Sequence, residues 1–197
     1  MTNEDARTRI LDAALELFSN QGFSSTTTRS IAESAGVNEL TIFRHFGTKE
    51  RLLSEVIDHH FDEVKMNASH LDEPTGDPTE DLIRMINWVR MNLREREKLF
   101  GLLLREVSTN EIVSLKLGQF PVVMKGFMLR RFEKALGDRI RKDLNIETAG
   151  VFLASYFIRS EMMRIMIGED PFHEIDEDRT REAIDIFLHG VAEGDPA

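Results

Sequence analysis

From Ile10 onward, apolar residues fall at the three-and-four spacing of one helical face, and glycines interrupt that pattern at short intervals. Ile10, Leu11, Ala13, Ala14, Leu17 and Phe18 share a face from which Asp12 and Glu16 are excluded, which predicts an amphipathic first helix. Gly22 suits the left-handed residue that ends such a helix, and Phe23 can fold back onto its last turn. Thr26, Thr27 and Thr28 then offer hydroxyl caps to a short second helix that carries Ile31, Ala32 and Ala35 inward, with Gly36 as the turn. Asn38 caps a third short helix with Ile42 and Phe46 on its buried side and Glu39, Thr41, Arg44 and His45 outward. Three short helices with a Gly turn between the last two form a helix-turn-helix candidate.

Gly47 ends the third helix, and Thr48 caps a long fourth one through Leu52, Leu53, Val56, Ile57, Phe61 and Val64. A breaker-rich linker follows at Leu71 to Thr79. Beyond it, the periodicity predicts helices near 79–96, 98–109, 120–137, 146–168 and 178–193, with Pro121, Gly137, Gly168 and Gly190 at their ends. No segment alternates like a strand. The expected fold is all-α with about nine helices: a head at 1–50, followed by a helical domain at 51–197.

A formal charge of −10 argues against nucleic acid as a partner, because Lys and Arg supply much of the affinity for phosphate. The charge is not spread evenly. Residues 1–51 hold six Lys/Arg against seven Asp/Glu, while 52–197 hold 19 against 28. Any DNA contact must therefore be local, on a nearly neutral N-terminal quarter. With no cysteine, no secretory leader and no run of about 18 apolar residues, the chain is expected in the cytoplasm, without disulfides or a membrane span.

The major groove admits one helix, whose outward side chains reach base edges while neighbouring groups hold phosphates. The stretch Asn38 to Phe46 has that form. Thr27, Thr28 and Lys49 stand at helix starts where a phosphate would sit, and Arg29, Arg44 and His45 complete a positive, hydrogen-bonding rim.

In order and spacing, Ile10-Leu11-Asp12-Ala13-Ala14, Leu17-Phe18, Gly22-Phe23, Thr26-Thr27-Thr28, Ile31-Ala32, Ala35-Gly36-Val37, Thr41-Ile42-Phe43-Arg44-His45-Phe46 and Lys49-Glu50-Arg51-Leu52 resemble the N-terminal signature of TetR-family transcriptional regulators. The resemblance covers roughly a quarter of the chain and is specific, since three helices and both turns agree. It implies a homodimer on palindromic operator DNA, most often a repressor, released by a small apolar or aromatic inducer. It implies neither a cofactor nor an enzymatic activity. The recognition helix departs from the family by opening with Asn38, Glu39 and Leu40, and by Phe43 where a tyrosine is usual. Glu39 could accept from a cytosine amino group and Leu40 could touch a thymine methyl, while Phe43 lacks the phenol that would reach a phosphate.

The resemblance also implies an inducer cavity among the helices between about 79 and 170. Trp88, Met91, Leu103, Met124, Phe127, Phe152 and Tyr156 are the candidates for its lining, chosen for size and occasional polar handles. It further implies that the last two helices pair with their symmetry mates, with Met163, Met166, Ile184, Phe187 and Leu188 as candidate contacts and Val191 on the same stripe. Such a stripe is equally what an intramolecular core would show. The histidines at 45, 59, 60, 70, 173 and 189 lack metal-ligand spacing, and adjacent His59 and His60 should point to different faces. Arg94-Glu95-Arg96-Glu97-Lys98 reads as a solvated helix end. A competing reading makes the chain a helical small-molecule-binding or catalytic protein whose N-terminal bundle is a docking module. An activator on the same scaffold is indistinguishable at this level.

Overall fold

The computed structural model describes residues 3–66, 71, 73–169 and 175–191, and within that range the side chains of 3, 4, 63–66, 120, 123 and 191 are left aside. His70 and His173 lie outside the described residues, as do the side chains of Val64 and Val191. Among the described residues there are nine α-helices: α1 Asn3–Gln21, α2 Thr28–Ala35, α3 Glu39–Phe46, α4 Lys49–Met66, α5 Pro78–Glu95, α6 Glu97–Glu106, α7 Glu111–Leu136, α8 Ile146–Ile167 and α9 Glu177–Val191.

The chain divides into two compact units, one formed by 1–66 with 96–119, the other by 67–95 with 120–197. In the first unit, Ile10, Leu11, Ala14 and Phe18 of α1 are buried with Ile31 of α2, Ile42 and Phe46 of α3, and Leu52, Leu53, Val56 and Ile57 of α4. Helix α6 adds Leu99, Phe100, Leu102 and Leu103 to that core. In the second unit, α5 packs against α8 and α9, and α8 against α9. Its core holds Leu82, Met85, Ile86, Trp88, Phe132, Leu153, Phe157, Ile184 and Leu188.

The expected helix over 120–137 is corrected to Glu111–Leu136, with Pro121 inside it. A proline forfeits one backbone donor, but its fixed φ is itself helical, so a well-packed helix can run through it. The true start is set by Asn110, whose Oδ1 accepts from the amides of Ile112 at 3.1 Å and Val113 at 3.3 Å. By length and mean hydropathy alone α7 could cross a membrane, although it contains no unbroken apolar run of that length. Two of its lysines are ion-paired to other helices, Lys116 to Asp58 at 2.6 Å and Lys125 to Glu147 at 2.7 Å.

The run Arg94 to Lys98 is likewise not a merely solvated end. Arg94 reaches Glu161, Arg96 donates to the His60 carbonyl at 3.2 Å, and Lys98 pairs with Glu16. His59 and His60 do not diverge: their ring centroids lie 5.2 Å apart, edge to face.

Candidate DNA-reading head

Helix α1 ends at Gly22, whose φ of 84° is the left-handed conformation that lets its amide return to Phe18 O at 3.0 Å. Phe23 then folds back, its ring centroid 5.4 Å from that of Phe18. The three following threonines take three different partners. Thr26 is fully buried and its hydroxyl donates to the Gly22 carbonyl at 2.8 Å, closing the end of α1. Thr27 caps α2, its oxygen accepting from Ser30 N at 3.1 Å while the Ser30 hydroxyl accepts from Thr27 N at 3.2 Å. Thr28, the first residue of α2, donates across the turn to Glu39 Oε1 at 2.6 Å.

Gly36, at φ 65°, makes the reversal between α2 and α3, with Val37 N returning to Ala32 O at 3.0 Å. Asn38 caps α3 through Leu40 N at 2.9 Å. Ile42 and Phe46 are nearly fully buried and fix the roll of α3, so that Leu40 and Phe43 stand 56% and 48% exposed beside exposed Arg44, with Thr41 and His45 half-buried. Arg29 is exposed on α2 and pairs with Glu33 at 3.1 Å.

Lys49, at the start of α4, does work the sequence did not show. Its ammonium donates to the carbonyls of Phe23 and Thr26, both at 2.9 Å, and lies 4.4 Å from the centre of the Phe23 ring. From the other side, Glu106 of α6 accepts the Phe23 amide at 3.1 Å, and Arg105 donates to the Ser19 carbonyl at 2.9 Å. The loop that carries the threonines is therefore pinned by both α4 and α6.

Residues 10–56 match the family model of bacterial regulatory proteins of the tetR family. An HTH-type transcriptional regulator of Bacillus subtilis, YvkB, is 29% identical over 93% of this chain and 96% of its own length. The head is a TetR-family domain. An HTH-type transcriptional repressor of Mycobacterium tuberculosis is 45% identical to this chain over 28% of it and 30% of the repressor. The crystal structure of a TetR-family regulator from Mesorhizobium loti shares the fold, with a TM-score of 0.72 at 18% identity over 98% of this chain and all of that one. The chain is thus a TetR-family transcriptional regulator, a family without enzymatic activity, and its helix-turn-helix implies DNA binding.

The other candidate residues of this TetR-family regulator do not converge on one place. Trp88 stacks on Phe127 with centroids 4.6 Å apart, while Leu103 is buried in the first unit and Met91 is exposed. Met124 lines a cavity of about 250 Å³ between α7 and α8, walled by Met128, Leu129, Phe132, Gly150 and Ala154. Phe152 and Tyr156 instead border an open groove of about 690 Å³ between α8 and α9, together with Ile186. Ile184, Phe187 and Leu188 are buried within the second unit, Met166 is exposed and Met163 half-buried.

One cluster was not anticipated. Glu161, only 1% exposed, accepts from Arg90 at 3.0 Å, Arg94 at 2.9 Å and Arg164 at 3.2 Å. Arg90 also donates to the Ile175 carbonyl at 2.6 Å. Burial alone would raise the Glu161 carboxyl's pKa, but the hydrogen bonds from Arg94, Arg90 and Arg164 outweigh it and hold the group below the ordinary carboxylate value. Arg164 is local, three residues along α8, but Arg90 and Arg94 lie 71 and 67 residues away, so no local pattern announces the full cluster.

Proposed function

We propose that this regulator binds a palindromic operator as a homodimer, acts as a repressor in the cytoplasm, and is released by a small apolar or aromatic inducer. The observation that carries the reading is the roll of α3. Buried Ile42 and Phe46 leave Leu40, Phe43 and Arg44 outward at the N-terminal and middle turns of a recognition helix. Thr27, Thr28, Arg29, Asn38, Glu39, Thr41, His45 and Lys49 frame that surface for phosphate and base contact. The mycobacterial relative that shares the head is itself a repressor, which favours repression here.

The functional division is a reading head at 1–50 and a ligand-binding and dimerising remainder at 51–197. The cavity between α7 and α8 suits the inducer, because its wall is almost wholly apolar and rich in adaptable methionine. The groove between α8 and α9 suits a second copy of the chain. Phe152 and Ile186, 76% and 66% exposed, offer large side chains on the two terminal helices that the family resemblance assigns to dimerisation. An inducer releases DNA only through a difference in its affinity for the DNA-fitting and non-fitting conformations.

Selection of bound duplexes from a random library by the purified protein, at stated salt, tests the reading. Recovery of a two-fold symmetric sequence is expected. Weak, salt-sensitive binding with no preferred sequence would overturn it and favour the docking-module alternative.

A further inference from the structure

We propose that Thr28 and Glu39 form a specificity pair: the hydroxyl that opens α2 holds the carboxylate that opens the recognition helix, and that carboxylate selects a cytosine in each half-site. The inference rests on the operator-binding reading and deepens it.

The starting observation is a side-chain hydrogen bond of 2.6 Å between residues eleven positions apart, on either side of the helix-turn-helix turn. Thr26 and Thr27 spend their hydroxyls locally, Thr26 closing α1 on the Gly22 carbonyl and Thr27 capping α2 on the amide and hydroxyl of Ser30. Thr28 spends its hydroxyl on the side chain of another helix. Both members are half-buried, so the carboxylate is held at the edge of the reading surface beside exposed Leu40. The hydrogen bond uses Oε1 and leaves Oε2 outside it.

A carboxylate can only accept hydrogen bonds. In the major groove, guanine and thymine present acceptors to it, and adenine presents its amino group beside the N7 acceptor. Cytosine's amino donor has an acceptor, the paired guanine's O6, on one side only, whereas adenine's lies between two, so cytosine is the base that an oriented carboxylate tolerates best. Opposite guanine or thymine the same charge stands close to phosphates with no compensating donor. The pair thus also lowers non-specific affinity, which is specificity obtained by repulsion as well as attraction. Glu39 lies in the first turn of α3, where the helix dipole favours a negative charge, so the arrangement costs the folded head little.

The test starts from the duplex selected by the full-length wild-type protein. Affinities are then measured by fluorescence anisotropy for that duplex, for each single-base-pair variant of it and for a random duplex. Replacing the selected cytosine should cost the wild type on the order of tenfold. Glu39→Ala should reduce that penalty to about twofold or less at that one position, and should tighten binding to the random duplex, since a repulsive charge is gone. Glu39→Gln should shift the preference at the same position toward adenine, whose N6 and N7 an amide can bridge. Thr28→Ser should keep the cytosine preference and Thr28→Val should weaken it.

An unchanged cytosine penalty in Glu39→Ala, or an equal loss of affinity for every duplex in both Glu39 variants, would reduce the pair to a tie between two helices and overturn the proposal. A wild type that selects no sequence would instead remove the operator reading, and the proposal with it.

Discussion

Thr26, Thr27 and Thr28 are identical side chains on consecutive residues, and their neighbours decide what each one does. The sequence identified all three as hydroxyls able to cap α2, yet only Thr27 does so, because its partner, Ser30, is local. Thr26 and Thr28 answer to Gly22 and Glu39, which come near only once the head has folded. Lys49 shows the same limit. Two of its three N–H donors go to loop carbonyls, which makes it a structural staple as well as a candidate phosphate contact. Lys49→Ala should therefore lower stability in urea unfolding by about 1–3 kcal/mol. If the lysine also touches a phosphate, the salt slope of operator binding should fall by about one.

Glu161 is the extreme case, a buried carboxylate whose three arginines come from α5 and α8. Its carboxyl is held below its ordinary value of 4.5, so its contribution to stability is fully present above that pH and is lost as pH falls through the lower, folded value. Acid unfolding followed by circular dichroism should show a steeper loss of stability below about pH 4.5 in the wild type than in Glu161→Gln. At neutral pH that variant should be less stable by about 3 kcal/mol or more, because guanidinium groups lose their counter-charge.

At the scale of elements, α1 to α4 were legible because their signals are local: apolar spacing for each face, Gly22, Gly36 and Gly47 at positive φ for the stops, and Thr27, Asn38 and Thr48 for the starts. Helix α7 was not, because Pro121 was read as a boundary while the cap at Asn110 lay ten residues earlier, outside the expected helix. Nor could spacing show that α7 and α8 approach closely at Gly150, where an added Cβ would stand 2.7 Å from the Phe132 ring. Gly150→Ala should destabilise the protein by about 1–3 kcal/mol in thermal or urea unfolding. Because Gly150 and Phe132 both line the α7–α8 cavity, the same change should alter its shape and weaken any inducer that occupies it.

For the whole molecule, the apolar stripe on α9 illustrates what periodicity leaves open. Ile184, Phe187 and Leu188 face the chain's own core, and the exposed apolar residue between them is Ile186. Only the folded structure separates the two faces, since every packed helix has a stripe. With Phe152 and Ile186 as dimer contacts, the double variant Phe152→Glu, Ile186→Glu should sediment as a monomer while keeping its helical circular dichroism, and should bind operator far more weakly. A wild type that sediments as a monomer at the same concentration would place the interface elsewhere or remove it.

In the proposed dimer, two reading heads engage two half-sites on the same face of DNA. Two recognition helices spaced for successive major grooves require half-sites about one helical turn, or a multiple of it, apart. The most direct measurement compares the affinity of the purified protein for its selected duplex with its affinity for two derivatives, one with about five base pairs inserted between the half-sites and one with about ten. Half a turn should abolish cooperative binding of the palindrome, and a full turn should recover more of it than half a turn does. Equal affinity for all three duplexes would contradict the account, because it would mean that the heads bind independently of one another.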